Sequence, residues 1–164
     1  MIMESDATHA MDSGNRTYWE SELETLPCAE LEKLQLRRLN ESLHLAARSP
    51  HYAKCAQIGR MLREGIKSIE QIRELPFTTK DDLRQDFPWG FLAADKREVI
   101  RLHSSSGTTG NPTVVFHNQH DLASWANLMA RSLYAAGVRQ TDVFQNMSGY
   151  GLFTGGLGFQ YGIE

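Results

Sequence analysis

The chain has 164 residues, with 17 Lys and Arg against 20 Asp and Glu and a formal net charge of −3. That near balance gives no reason to expect a nucleic acid or an anionic membrane surface as partner, and no apolar run approaches the ~20 residues of a membrane span. The N-terminus lacks a signal-peptide core, and two cysteines, Cys28 and Cys55, do not make a disulfide scaffold, so a cytoplasmic chain with inert thiols in helical patterns is expected.

In chain order, the polar, irregular stretch from Met1 to Asn15 opens a lead-in over residues 1–18 that is expected to be disordered. Residues 19–96 read as a helical segment. Leu31, Leu34, Leu39, Leu43 and Ala46 recur at helical spacing between Pro27, which suits a first turn, and the stop at Ser49-Pro50. A second helix is predicted over 52–63, with Tyr52, Cys55, Ile58 and Leu62 on one face and Gly65 after its end. Ser68-x-x-Gln71 is a capping box for a third short helix, and Thr79-x-x-Asp82 resembles one for a fourth. From residue 97 to 164 the pattern becomes strand, loop, strand, helix, strand. The strands are Val99–His103, Thr113–Phe116 and Asp142–Asn146. The helix runs over 121–136, with Leu122, Trp125, Leu128, Met129, Leu133 and Ala136 as its buried stripe and Gly137 as its stop. Alternating strands and helices after a helical layer give an α/β fold class.

Between the first two strands lies Ser104-Ser105-Ser106-Gly107-Thr108-Thr109-Gly110-Asn111-Pro112. Gly107 and Gly110 let the backbone turn and approach an anion, while Ser105, Ser106, Thr108 and Thr109 offer hydroxyl donors. The same composition also describes a flexible linker. The loop joins strand to strand, unlike the common strand-to-helix phosphate turns, and the Walker spacing fails because it lands on Pro112. A dinucleotide fingerprint begun at Gly156 and Gly158 fails at Tyr161.

The tract from Ser148 to Gly158 holds five glycines with Tyr150 and Phe153, directly after the third predicted strand. Ligands of open α/β sheets bind at carboxyl ends of strands, and aromatic walls beside glycines suit an aryl group. The same tract also reads as a tight turn opening a helix, with its aromatics in the core. His117-x-x-His120-Asp121 has metal-ligand residue types but reads as polar surface. His103, Lys80 and Arg101 could reach a substrate or phosphate, against the plainer readings of a structural hydrogen bond and solvated charge.

Ser105-Ser106-Gly107-Thr108-Thr109-Gly110-x-Pro112 resembles the signature loop of adenylate-forming enzymes, the acyl-CoA synthetase superfamily. Glu24-Thr25-Leu26-Pro27, Leu75-Pro76-Phe77-Thr78-Thr79-Lys80-Asp81-Asp82-Leu83-Arg84 and Tyr150-Gly151-Leu152-Phe153-Thr154-Gly155-Gly156-Leu157-Gly158 resemble segments of the phenylacetate-CoA ligase family, in that family's order. The resemblance runs from about Trp19 to Glu164. Two positions depart from it. Asn111 stands where the family often has lysine, so the loop carries no cation, and Ser148 stands where many members have an aromatic residue.

The resemblance implies an N-terminal portion of a phenylacetate-CoA ligase, with residues 97–164 beginning the large ATP-binding domain. It implies a two-step reaction, in which phenylacetate and ATP give an acyl-adenylate and pyrophosphate, and CoA then displaces AMP. Ser105, Ser106, Gly107, Thr108, Thr109 and Gly110 would hold the phosphates, with Mg²⁺ neutralising them, and Tyr150, Phe153, Gly155 and Gly156 would lie on the aryl-acid side. The family's ribose-binding acid, metal-binding glutamate, hinge and C-terminal lysine would all lie beyond Glu164, and Gln160–Glu164 reads as mid-helix. A fragment of this kind is expected to be inactive alone, with an unfinished sheet edge that leaves a homodimer open. A CoA ligase for another aryl or indole acid, and a non-catalytic nucleotide- or acyl-binding module, are the rival readings.

Overall fold

A computed structural model of the chain describes residues 17–105, 112–150 and 154–164. The lead-in over 1–16 lies outside the described residues. The helical half consists of α1 (Ser21–Glu24), α2 (Cys28–Ala46), α3 (Ala56–Glu64) and α4 (Lys80–Gln85), with 3-10 turns at Tyr52–Lys54, Ile69–Glu74 and Lys96–Glu98. Its core is Leu43, Ile58, Met61 and Ile66, each 3–5% exposed. Leu36, Leu39, Tyr52, Cys55, Leu62 and Leu75 pack around it. Asn40 fastens α2 to the turn after α3, its amide donating to the Ile66 carbonyl at 3.0 Å while its oxygen accepts the Ile66 N–H.

Local chemistry sets the ends of these elements. Thr79 and Asp82 exchange side chain-to-backbone bonds at the start of α4, and Thr79 holds the Asp82 carboxyl below its ordinary range. The Ser68/Gln71 box also forms, but the six residues after it wind as a 3-10 helix. The second predicted helix is divided. Residues 52–54 form a 3-10 turn, and Cys55, extended at φ −82° and ψ 110°, is the N-cap of α3 and lies outside a helix. Gly65, at φ 70°, ends α3 in backbone space that few other residues enter.

In the second half, β1 (Arg101–Ser104) and β2 (Val114–His117) form an antiparallel pair with Arg101 opposite His117 and Leu102 opposite Phe116. On one face Phe116 stacks on Trp89 at 4.6 Å between ring centroids, and Lys96 lies over that indole. The next helix, α5, spans Gln119–Ala135, starting earlier than predicted because Asn118 caps it in a reciprocal box with Asp121. It ends in a Schellman motif: Gly137, at φ 101°, donates to Tyr134 and Val138 donates to Leu133. Of its predicted buried stripe, Leu128 and Ala136 are exposed. The final helix, α6, spans Thr154–Ile163 and lies along α5. The predicted strand over 142–146 does not form, and no described strand lies beside it to complete a ladder. The described part is therefore mostly helical with a small sheet. None of its helices is long and apolar enough to cross a membrane.

Candidate functional site

β1 and β2 carry the two feet of the serine- and glycine-rich loop. The Ser105 N–H donates to the Thr113 carbonyl at 3.0 Å, extending the ladder by one bond. The Thr113 N–H and hydroxyl both donate to Ser105 Oγ, at 3.1 and 3.0 Å. A hydroxyl has two acceptor sites and one proton, so Ser105 has its acceptor sites occupied and its own proton left to give. Ser106, Gly107, Thr108, Thr109 and Gly110 lie outside the described residues.

Antiparallel register puts Arg101, His103, Val115 and His117 on one face of the hairpin. Trp125 of α5 covers this face. Its ring lies 5.3 Å from His103 and 5.6 Å from His117, stacked on the latter, and 6.5 Å from Tyr161 of α6. The Arg101 guanidinium sits 5.0 Å over the Tyr161 ring. Burial first, then the charges of His117 and Arg101, hold the His103 imidazole below its ordinary pKa of 6.5. Arg101 Nη1 and His103 Nε2 are buried without a hydrogen-bond partner. The hairpin face that Trp125 covers therefore holds unmet polar capacity, with Arg101 at the end of β1 away from the loop.

From Thr154 onward the glycine tract is helical. Gly155 and Gly156 belong to the first turns of α6. A Cβ on Gly156 would stand 3.1 Å from both the Gly149 carbonyl oxygen and Ser148 Cβ, so its close approach is to the chain's own preceding segment. Asn146 donates to the Gly156 carbonyl at 3.1 Å, and the half-exposed Tyr150 donates its phenolic hydrogen to Gln160 at 3.0 Å. Phe153 lies outside the described residues. What sequence reasoning missed is the pair Gly158 and Gly162, four apart on α6. A Cβ at Gly158 would stand 2.7 Å from the Trp125 ring, and one at Gly162 would stand 2.6 Å from Met129 Cβ. Glycine spacing of four within an apolar helix was the signal for this seam.

Trp125 thus touches the strands that carry the loop on one side and the glycine helix on the other, joining the two parts singled out from sequence. The remaining candidates separate from it. Asp121 is committed to capping Asn118, His117 to the Trp125 stack, and His120 is exposed. Among the described residues no group of His, Cys, Asp or Glu could hold a metal. Lys80 begins α4 and is exposed. Both thiols are free, Cys28 exposed and Cys55 half-buried.

No protein-family model matches the chain. Phenylacetate-coenzyme A ligases do. The protein from Aromatoleum evansii is 45% identical over 136 residues, which are 82% of this chain and 31% of that protein. The one from Thermus thermophilus is 44% identical over 147 residues, 89% of this chain and 33% of its own length. The one from Escherichia coli is 43% identical over 143 residues, 87% and 33%. Among solved structures, a 2-hydroxyisobutyryl-CoA ligase in the postadenylation state with 2-HIB-AMP superposes with a TM-score of 0.82 at 26% identity. That match covers 94% of this chain and 33% of the ligase. The same enzyme with 2-HIB-AMP and CoA in the thioesterification state gives 0.75 at 28% identity, over 92% of this chain and 34% of the ligase. The chain spans about a third of the length of the relatives it matches. Over that third it is similar in sequence to the phenylacetate-CoA ligases and in fold to an adenylate-forming CoA ligase.

Proposed function

We propose that the chain is the portion of an AMP-forming phenylacetate-CoA ligase that carries the phosphate loop and part of the acyl pocket. The observation that supports this most is the 43–46% identity to phenylacetate-CoA ligases across 82–89% of this chain. In the whole enzyme a phenylacetate carboxylate oxygen attacks the α-phosphorus of ATP and the bond to pyrophosphate breaks. The CoA sulfur then attacks the acyl carbon, loses its proton and expels AMP.

The part of this chain is to hold and orient. Ser105 through Gly110 direct N–H and hydroxyl donors at the β- and γ-phosphates, where charge grows as pyrophosphate leaves. With Asn111 at the position where lysine is common, the positive charge for the phosphates comes from outside the loop, and Arg101 stands at the far end of β1 from it, opposite His117. Mg²⁺ accompanying ATP would help to neutralise the phosphates. Tyr150 and Phe153 supply aromatic surface to the aryl acid, and Gly155 and Gly156 keep the backbone beside it free of side chains. The working setting is the cytoplasm, with residues 97–164 opening the ATP-binding domain.

The test is phenylacetate-dependent ATP–pyrophosphate exchange. It is measured on the 164-residue chain and on a chimera joining it to the remaining two thirds of the Thermus thermophilus relative. The chain alone gives background and the chimera exchanges. Replacing Thr108 and Thr109 together by valine lowers that exchange about 10²-fold, the scale for removing donors to a developing oxyanion. Exchange by the chain alone overturns the reading as a portion, and a folded, inactive chimera overturns the reading as a ligase.

A further inference from the structure

Trp89, in the turn that follows α4, reaches across to the hairpin and stacks on Phe116 with 11° between the ring planes. It meets the face formed by Leu102, Ser104, Val114 and Phe116, opposite the face that Trp125 covers. β2 is thus gripped from both sides, and its first residue, Val114, follows Thr113, a foot of the loop.

What holds Trp89 in place is His51. The turn over 86–91 is closed by the Gly90 N–H, which donates to the Asp86 carbonyl at 2.7 Å. It is tight enough that a Cβ on Gly90 would stand 2.2 Å from Asp86 Cβ. His51 takes hold of both ends of this turn. Its Nδ1 donates to Asp86 Oδ2 at 2.6 Å, since a carboxylate only accepts. Its backbone N–H donates to the Gly90 carbonyl at 2.9 Å, and its ring lies on Phe91 with 4.1 Å between centroids. Trp89 lies between the points so fastened. His51 stands in turn on a firm base. Ser49, 1% exposed, donates its hydroxyl to the Ala46 carbonyl at the end of α2, and Tyr52 packs against the core of the helical half.

We propose that His51 is a positioning residue for the loop. By clasping the 86–91 turn it fixes Trp89, and through Trp89 it fixes the lie of β2 and of the foot at Thr113. The proposal rests on the ligase reading above for the statement that the loop serves ATP. A His–Asp pair can also activate a nucleophile. Here the imidazole is packed on Phe91 and its own backbone is bonded to the same turn, which is the arrangement of a clasp.

The experiment uses variants that separate the parts of this route. His51→Phe keeps a ring against Phe91 and removes the donor to Asp86, while His51→Asn keeps an N–H donor at the δ position. Trp89→Leu removes the stack on Phe116 and leaves the clasp. Hydrogen exchange in the 164-residue chain follows the amides of Ile100 and Ser105, which donate to His117 and Thr113 at the two ends of the hairpin. The Gly65 amide, which donates to Met61 in the closed core, is the reference. His51→Phe is expected to speed Ile100 and Ser105 about fivefold or more and to leave Gly65 unchanged, with His51→Asn within about twofold of the native chain. Adding His51→Phe to Trp89→Leu is expected to bring no further acceleration, because both act through one contact. In the chimera described above, His51→Phe is expected to raise KM for ATP about fivefold and to leave KM for phenylacetate unchanged.

Equal acceleration of all the amides overturns the proposal, because His51 would then serve general stability. No acceleration at the hairpin overturns it, and so do additive effects of His51→Phe and Trp89→Leu. An active chimera whose KM for ATP does not move with His51→Phe overturns the positioning role while the ligase reading stands. Selective acceleration at the hairpin with an inactive native chimera upholds the hold of His51 on the hairpin while the ligase reading falls.

Discussion

The two halves of this chain close in different ways. Around α2 and α3, Leu43, Ile58, Met61 and Ile66 are buried by neighbours within a few tens of residues. No residue of β1, β2 or α5 is fully buried, and Leu102, Val115 and Leu128 are each more than half exposed. The first half is a finished local core. The second is a set of local elements whose apolar side chains stay half-buried or exposed among the described residues. Stability and function therefore sit apart: the well-packed half holds the fold, while the open half carries the loop and the glycine helix.

The largest effect that tests this contrast is Met61→Ala. Deleting a methionine that is 3% exposed from a closed core is expected to cost about 2–5 kcal/mol, measured by urea denaturation. A loss below about 1 kcal/mol would mean that the helical half is as loose as the other.

A paired glycine substitution sharpens the comparison. Gly158→Ala drives a Cβ to 2.7 Å from the Trp125 ring. It is expected to destabilise by about 1–2 kcal/mol, overpacking outweighing the helix propensity that alanine gains. Gly59→Ala, in α3, meets only the end of the Arg63 side chain at 3.6 Å and is expected to stabilise by about 0.4–1 kcal/mol. Changes of the same sign at both sites would remove the distinction between a tight helix seam and an open helix surface.

The smallest effect is a pH dependence. The His103 imidazole is held below its ordinary value of 6.5, chiefly by burial, so the unfolded chain takes up a proton more readily than the folded one. Stability then rises with pH between the lowered folded value and 6.5, and is lost as pH falls through that interval. The melting temperature of the native chain should fall more steeply from pH 7 to pH 5 than that of His103→Gln. Parallel curves would show that the hairpin face is as wet as the surface.

What could be read from sequence follows the range of the forces involved. The caps at Ser68 and Thr79 and the stop at Gly137 were legible because each is settled within a few residues. Asn118 belongs to the same class and was passed over only because its partner, Asp121, was itself taken as the helix start. The strand over 142–146 was legible as a pattern and yet is not a strand, because a ladder needs a neighbour that pattern alone does not provide. The aryl-side reading attached to Tyr150, Phe153, Gly155 and Gly156, whereas the contacts of Gly158 and Gly162 with Trp125 and Met129 come from a distant helix that local pattern does not show. Leu128 and Ala136 were read as core from periodicity, which finds a stripe but not whether anything lies against it. The loop itself was found by its composition, and its feet, Ser105 and Thr113, by the strands on either side.

The pinning of those feet sets a leash. With Ser105 and Thr113 bonded to each other, the connecting residues can carry their tip no farther than half their contour length, roughly 14 Å from the pair. Whatever the loop grips must come to that end of the hairpin. For the phosphate role proposed above, strand register would set the address and the loop the firmness of the hold.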